Sequence, residues 1–233
     1  MYQNKTISII IPCLNEEEGI SKVINRIPDY VDAIIVVDNG STDNTAEIAS
    51  SLGAQVVSQP QKGYGRAYKA GFHQSDTDII VTSDGDGTYP VEKISDMVEY
   101  LIEKEADFVS GCRFPLDDNH AMRTRNFIGN MIITTCLNIV FRVKLYDGLS
   151  GMWVFNRKIL DTIILKSNRW SLSQEIKIEV LMRHMKFIEY HIPYAERIGN
   201  TKLWPFSVGF ENMFYLVLHK IQWVLNIRKR DRF

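Results

Sequence analysis

Short apolar runs alternate with amphipathic segments along the first half of the chain. The continuous apolar run at 7–12, ISIIIP, is typical of a strand buried on both faces of a parallel sheet. Apolar residues at helical spacing follow it, at Ile20, Val23, Ile24 and Ile27. Repetition of this pattern predicts an α/β fold, a mostly parallel sheet wrapped by helices, with ligands at the carboxyl ends of the strands. The predicted strands are 7–12, 33–38, 54–58, 78–84 and 106–111.

The second half is less regular and ends in a long amphipathic segment. Helices are predicted at 123–142 and 173–185, strands at 151–156 and 187–194, and a last helix from about 206. Polar residues at spacings of 4, 4, 3 and 4 form one narrow stripe on that helix: Glu211, Tyr215, His219, Gln222 and Asn226. The rest of its surface is apolar, and the basic run RKRDR follows. This pattern favours a helix lying on an anionic membrane surface, although a helix packed on the core or in a dimer would share it.

Composition and charge narrow the classes of function. The 233 residues are 45% hydrophobic and 24% charged, as in an ordinary globular protein. The net charge of −1 predicts no nucleic-acid partner, but it hides an asymmetry, because residues 1–112 carry −10 and residues 113–233 carry +9. Three widely spaced cysteines fit a reduced compartment. The sequence contains no charge-free apolar run of 18 residues, so no transmembrane helix is predicted.

Acidic and polar residues follow three of the predicted strands. Asp84 and Asp86, separated by one glycine, follow a buried strand and suit a hard divalent cation. Asp38 ends a neighbouring strand, while Asn15, a predicted helix N-cap, and Glu16 follow the first. These side chains would converge on one crevice, where their mutual repulsion calls for a cation or a polar ligand.

Four motifs in order, IIIPCLNEEEGI, VVDNGSTDNTAEIA, KGYGRAYKAGF and SDGDGTYP, resemble the inverting family 2 glycosyltransferases with the GT-A fold. The later pieces SGCRF, YDGLSGMWVF and RIGNTKL resemble more specifically the dolichyl-phosphate mannose synthase group of polyprenyl-phosphate glycosyltransferases. The resemblance implies inverting transfer of a hexose from a GDP- or UDP-linked sugar to a polyprenyl or dolichyl phosphate. It implies that Asp84 and Asp86 bind Mg²⁺ or Mn²⁺. It implies a nucleotide-binding set of Pro12, Leu14, Asn15, Glu16, Asp38, Gly63 and Asp84.

Five cations of the basic half suit phosphate groups, since arginine binds phosphate bidentately and lysine acts as a point charge. The resemblance implies that Arg197 and Lys202 reach over the donor diphosphate. It also implies a set that holds the acceptor phosphate: Arg113, Arg123, Arg125 and Ser150. The predicted catalytic set is Asp86, Arg113, Arg197, Lys202 and Glu175.

The identity of the acceptor decides whether a general base is needed. A phosphate monoester is already ionised at neutral pH and needs positioning, whereas a sugar hydroxyl must lose a proton. Glu175 and Asp147 are the acids that could serve as that base for a glycan or lipid-linked oligosaccharide acceptor. Three histidines are interpreted as surface residues: His184, His191 and His219. A third hypothesis is a non-catalytic membrane adaptor.

These interpretations predict a GT-A catalytic domain at 1–205 and an amphipathic membrane-interface helix with a basic tail at 206–233. Within the domain, 1–112 would bind the nucleotide and 113–205 the acceptor. The expected location is the cytoplasmic face of a membrane, peripherally bound. The sequence is compatible with both a monomer and an oligomer.

Overall fold

The computed structural model describes residues 2–118, 120–199 and 205–230, with the side chains of the last segment described at 208–225. Its centre is a seven-stranded sheet of order β3-β2-β1-β4-β6-β5-β7. The strands are β1 (Ile7–Cys13), β2 (Ala33–Asp38), β3 (Gln55–Ser58), β4 (Ile79–Thr82), β5 (Phe108–Cys112), β6 (Trp153–Asn156) and β7 (Phe187–His191). Of the six pairs of neighbouring strands, four are parallel and two are antiparallel. Strand β6 belongs to both antiparallel pairs. The predicted α/β fold with a mostly parallel sheet is confirmed.

Helices cover both faces of the sheet, as the alternating pattern predicts. They are α1 (Glu17–Ile24), α2 (Thr45–Ser51), α3 (Tyr64–Gln74), α4 (Ile94–Glu103), α5 (Thr124–Phe141), α6 (Leu172–Met182) and α7 (Pro205–Arg230). Alternate residues of β1 enter two separate cores, with Ile9 and Ile11 on one face and Ile10 on the other. Burial on both faces explains the continuous apolar run in this strand.

Strand β6 joins the two halves of the chain into one sheet. It lies between β4 and β5 and runs antiparallel to both. This insertion brings Gly151 to the end of β4, where its carbonyl accepts a hydrogen bond of 2.7 Å from the Thr82 hydroxyl. The Gly151 amide donates a hydrogen bond of 2.7 Å to the Tyr89 hydroxyl. Residues of the basic half therefore lie beside the acidic strand ends.

Helices α5 and α7 pack against each other and, through Ile178, against α6. Two residues of the predicted polar stripe of α7 face α6: Tyr215 donates to Glu175 at 2.6 Å and His219 lies 3.0 Å from Glu179. The surface interpretation of His219 is therefore wrong, because that side chain is buried at the helix–helix contact. His184 and His191 are exposed, as predicted. Among the described residues, no helix has the length and apolar content needed to cross a bilayer.

Candidate active site

A cavity of about 950 Å³ opens at the carboxyl ends of the central strands. Both halves of the chain line it, and so does the beginning of α7. The volume lies at the upper end of the usual range for a small-molecule site. Ten predicted site residues line it: Pro12, Leu14, Glu16, Gly63, Asp84, Asp86, Arg113, Arg123, Arg125 and Arg197.

Two acids of the cavity, Glu16 and Asp86, share one guanidinium. Arg197 donates from Nη1 to Asp86 Oδ2 and from Nη2 to Glu16 Oε1, both at 2.5 Å. The other oxygen of Asp86 accepts hydrogen bonds from the amide and hydroxyl of Thr88, at 3.1 and 2.7 Å. Burial, and then the neighbouring Asp86, raise the pKa of Asp84 to about 7. The crevice therefore holds crowded negative charge that a cation relieves.

Asp84 and Asp86 fit a divalent cation by their chemistry. Carboxylate oxygens are the ligands that Mg²⁺ takes together with substrate phosphates, which complete its coordination. The guanidinium of Arg197 between Asp86 and Glu16 demonstrates that a positive group is accommodated there. Within the described residues, no cluster of three or more His, Cys, Asp or Glu side chains has the arrangement of a metal site. The protein thus offers a partial ligand set that a bound diphosphate would complete.

Asn39 shapes the glycine-rich turn that precedes α3, a role the sequence did not reveal. Its Nδ2 donates to the carbonyls of Gln59 and Gln61, at 2.8 and 3.0 Å. Its Oδ1 accepts the Gly63 amide at 2.7 Å. Because Gly63 has a φ of +149°, its backbone takes a conformation that suits glycine. Asn39 thereby fixes the turn that brings Gly63 to the cavity wall.

Two predicted nucleotide ligands, Asp38 and Asn15, are absent from the cavity lining and bond a neighbouring loop. Asp38 Oδ1 accepts the Ser41 amide at 3.0 Å, and Asn15 Oδ1 accepts the Thr42 amide at 2.7 Å. Helix α1 begins at Glu17, so Glu16, and not Asn15, occupies its N-cap position. The predicted N-cap role of Asn15 is therefore wrong, because its carboxamide is engaged by the neighbouring loop.

An aromatic wall completes the cavity and was missed by sequence reasoning. Tyr64 and Trp170 stack with ring centroids 4.5 Å apart and an interplanar angle of 22°. Tyr89 and Tyr194 meet edge to face at 5.4 Å. All four line the cavity. Tyr64 lies inside the quoted GYGRAY motif, but nothing in the sequence pairs it with a tryptophan 106 positions away.

Arg113 reaches the cavity from a buried ionic network. Its Nε and Nη2 donate to the two oxygens of Asp147, at 2.7 and 2.8 Å, and the Tyr194 ring lies 5.1 Å away. Burial alone would raise the pKa of Asp147, but Arg113, its hydrogen bonds and Lys177 hold that pKa below its usual range. Burial lowers the pKa of Lys177 to about 8 although Asp147 lies close by. The network fixes the Arg113 guanidinium at the wall.

Both acids considered as general bases are engaged elsewhere. Asp147 also accepts hydrogen bonds from Asn130 and from the amides of Leu149 and Ser150. Glu175 is fully buried and is absent from the cavity lining. Neither placement supports proton abstraction from an acceptor in the cavity.

Ser150, predicted to hold the acceptor phosphate, is absent from the cavity lining. Ser150 is buried, its amide donates to Asp147, and its hydroxyl has no hydrogen-bond partner among the described residues. Lys202 lies outside the described residues. Their roles stay predictions.

Comparison with known proteins places the fold and motifs in context. The family model for "Glycosyl transferase family 2" matches residues 8–164. A dolichyl-phosphate hexose transferase of Haloferax volcanii is 35% identical over 211 residues, which are 89% of this chain and 91% of that protein. A UDP-N-acetylglucosamine–dolichyl-phosphate N-acetylglucosaminyltransferase of Methanococcus voltae is 25% identical over 96% of this chain and 99% of its own.

Solved structures share the fold. Glucosyl-3-phosphoglycerate synthase from Mycobacterium tuberculosis, in complex with Mn²⁺, UDP-glucose and phosphoglyceric acid, has a TM-score of 0.71. The identity is 22%, and the match covers 93% of this chain and 80% of that one. Another structure of that enzyme contains Mg²⁺ and UDP, with a TM-score of 0.69 and 24% identity, over 93% of this chain and 79% of the other. The sheet and helices described above are therefore those of the GT-A fold.

Proposed function

The chain belongs to glycosyl transferase family 2, and we propose that it transfers a hexose from a nucleotide sugar to a polyprenyl phosphate, with inversion. Either GDP or UDP is the nucleotide in this proposal. The similar dolichyl-phosphate hexose transferase supports the acceptor class by its name, and its similarity extends over most of both chains. Family membership makes the protein a glycosyltransferase, which removes the reason for a non-catalytic adaptor.

The crevice acids, Glu16, Asp84 and Asp86, form the donor side of the site. In the proposal, Asp84 and Asp86 hold Mg²⁺ or Mn²⁺, which neutralises the diphosphate leaving group when bound. Support comes from their crowded charge and from structural neighbours that contain these ions with UDP. Arg197 then exchanges its carboxylate partners for the phosphate oxygens, which suit its planar donors equally well.

The observation that carries the acceptor assignment is the placement of cations and acids in the cavity. Arg113, Arg123 and Arg125 line the same cavity as Asp84 and Asp86. The two acids considered as bases, Asp147 and Glu175, are saturated by hydrogen bonds away from it. A phosphate acceptor is already ionised, so its transfer requires positioning and charge neutralisation but no base. The cavity therefore suits a phosphate acceptor better than a sugar hydroxyl.

An apolar face on α5 and α7 supports attachment to a membrane. We define it by its exposed side chains: Ile128, Met131, Ile132, Ile139, Phe210, Phe214, Val217, Leu218, Ile221 and Leu225. Tyr215 and His219 turn toward α6, and these apolar residues of α7 are left exposed on the helix. Arg142 and Lys144 follow α5, and the basic run 228–230 ends α7, where anionic lipid would attract them. The face has the character of an interfacial helix pair. We place it at the cytoplasmic leaflet, in keeping with three free cysteines.

A transfer assay tests the reaction directly. Radiolabelled GDP- and UDP-hexoses are incubated with a short polyprenyl phosphate, the matching polyprenyl alcohol and Mn²⁺. We expect label in the phosphate lipid only, with the anomeric configuration inverted, and loss of transfer in Asp86→Ala. Absence of label from the prenyl phosphate with every donor, or full activity of Asp86→Ala, would contradict the proposal.

The nucleotide is identified by thermal shift with UDP, GDP and their hexoses in the presence of Mn²⁺. The correct ligand at a hundredfold excess over its Kd stabilises the protein by about 2.7 kcal/mol. A shift with one base and none with the other assigns the donor.

Sedimentation with vesicles tests the membrane attachment. We expect binding to phosphatidylglycerol vesicles to weaken in Ile139→Ser and Phe210→Ser, because each removes an apolar side chain from the inserted face. Leu52→Ser, at the exposed residue that follows α2 in the other half, is the matched control and should bind as the wild type does. Equal binding by all four proteins would argue against this face.

A further inference from the structure

Glu175 lies at a junction between α7 and a loop of the second half. It is fully buried on α6. Its Oε1 accepts the Tyr215 hydroxyl at 2.6 Å and the Lys166 amide at 2.8 Å, and its Oε2 accepts the Ser167 amide at 2.8 Å. A buried carboxylate requires such donors. One side chain thus holds two separate elements in place.

The loop held by Glu175 rests directly on the glycine-rich turn of the cavity. A Cβ at Gly63 would lie 2.3 Å from the Asn168 carbonyl oxygen, and one at Gly65 would lie 2.5 Å from that of Ser167. The Asn168 carbonyl also accepts the Arg66 amide at 3.3 Å. Such close backbone contact leaves no room for the loop to shift toward the turn. A displacement of the loop at Ser167 would therefore also displace the backbone at Gly63.

Trp170 continues from this loop to the cavity wall. Its ring stacks on Tyr64, the first residue of α3, and both rings line the cavity. The Trp170 ring keeps this position only while the loop before it keeps its path. Glu175 fixes that path through the amides of Lys166 and Ser167.

Helix α7 holds the same loop at two more points. Arg169 lies 3.5 Å from Glu211, and the Lys166 ammonium donates to Gln222 at 3.2 Å. Both are exposed contacts of small energetic value. The buried bond from Tyr215 to Glu175 is the stronger link, because a charged acceptor strengthens it and water is excluded.

We infer that Glu175 is a positioning residue that couples the seating of α7 to the Tyr64–Trp170 wall of the cavity, and thereby to the binding of the nucleotide-sugar donor. The inference rests on the proposed function for the identity of the ligand. It gives Glu175 a role other than the general base that its sequence context suggests. Helix α7 carries part of the apolar face, so the same link would connect membrane contact with donor affinity.

Four variants separate this role from catalysis and from general destabilisation. Glu175→Gln keeps the size of the side chain but turns an NH₂ group toward hydrogen-bond donors. Tyr215→Phe removes only the link to α7. Glu179→Gln is the matched control for Glu175, because Glu179 contacts α7 through His219 but does not bond the 166–170 loop. Tyr146→Phe, which removes a hydroxyl from an exposed ring, controls for Tyr215→Phe.

Calorimetric titration with UDP-glucose and with GDP-mannose, each with Mn²⁺, measures donor Kd, and the transfer assay measures KM and kcat. We expect Glu175→Gln to raise donor Kd and KM about tenfold, the equivalent of one lost charged hydrogen bond, with kcat little changed. Tyr215→Phe should raise donor Kd in the same direction by less. Both controls should keep the wild-type Kd.

Three outcomes would overturn the inference. A collapse of kcat in Glu175→Gln with unchanged donor Kd would make Glu175 a base. If Glu179→Gln raised the donor Kd as much as Glu175→Gln, the effect would come from a general loosening of α7 and not from the bonds of Glu175 to the 166–170 loop. An unchanged donor Kd in Tyr215→Phe would contradict the coupling to α7. If Glu175→Gln fails to fold, the result for Tyr215→Phe alone decides whether the inference holds. Absence of transfer by a wild type that binds a donor would instead count against the proposed acceptor.

Discussion

Two sets of acidic residues differ in what surrounds their carboxylates. The crevice acids line the cavity, whereas Asp147 and Glu175, which we call the interior acids, are buried away from it. Six N–H groups donate to the Asp147 carboxylate, three of them from Arg113. Two amides and a hydroxyl donate to Glu175. In the crevice, by contrast, the side chain of Arg197 bridges Glu16 and Asp86, and Asp86 also accepts the amide and hydroxyl of Thr88. Burial and the neighbouring Asp86 raise the pKa of Asp84.

The difference separates scaffold from ligand site. Backbone amides that hold a carboxylate cannot leave without unfolding a loop, so the interior acids are fixed parts of the structure. A guanidinium on a flexible side chain can move away, so the crevice acids can exchange it for a metal or for a ligand. Acidic residues in a cavity are therefore informative about function only after their hydrogen-bond donors are identified.

The largest effect should come from removing the charge of an interior acid. Asp147→Asn leaves the buried Arg113 guanidinium without its countercharge, and breaking a buried pair in this way costs about 3–5 kcal/mol. Denaturant unfolding of the two proteins measures the difference. Asp96→Asn is the control, because its partner Lys93 is exposed on the surface and little change is expected.

The pH dependence of that difference gives an independent check. The pKa of Asp147 is lower in the folded than in the unfolded protein, where it is about 3.9. Its stabilisation is therefore complete above pH 4 and is lost as the pH falls toward the folded pKa. The free-energy gap between wild type and Asp147→Asn should shrink below about pH 4. A gap that stays constant from pH 7 to pH 3 would contradict the assigned charge state.

The same substitution in the crevice should act on activity and leave stability intact. Asp84→Asn removes one of the crowded charges, so in metal-free buffer the free energy of unfolding should stay equal or rise. Transfer should fall by at least about a hundredfold, equivalent to about 2.7 kcal/mol of transition-state stabilisation, if Asp84 binds the metal. Denaturation and the transfer assay measure the two effects. Loss of stability as large as that of Asp147→Asn would erase the distinction between the two sets.

The sheet and the donor side of the cavity could be predicted because their signals are local. Buried strands leave continuous apolar runs, and the turn after β4 places Asp84 and Asp86 at the strand end. Parallel strands bring Glu16 to the same edge. The antiparallel course of β6 was not predictable, since a strand's apolar pattern is the same in both directions.

Long-range pairing explains what the sequence could not reveal. Glu175 was one of two acids considered as a base, but its partners are an upstream loop and a helix 40 residues downstream. His219 was interpreted as a surface residue, yet its side chain is buried against Glu179 of α6. In both cases the partner, which only the tertiary structure supplies, decides the role of the polar residue.

The smallest expected effect concerns the exchange of Arg197 for a metal ion. Because Arg197 bonds Asp86 and Glu16, it competes with a divalent cation for the same oxygens. Arg197→Ala should therefore bind Mn²⁺ more tightly than wild type without nucleotide, by about tenfold, which is 1.4 kcal/mol. With a nucleotide sugar present the sign should reverse, because the variant lacks a donor to the diphosphate. Spin-resonance titration of free Mn²⁺ measures both affinities, with Arg26→Ala, whose partner Glu92 lies outside the cavity, as the control. If Arg197→Ala bound Mn²⁺ no better than wild type, the guanidinium would belong with the fixed contacts of the interior acids, and the division between exchangeable and fixed carboxylates would fail at this residue.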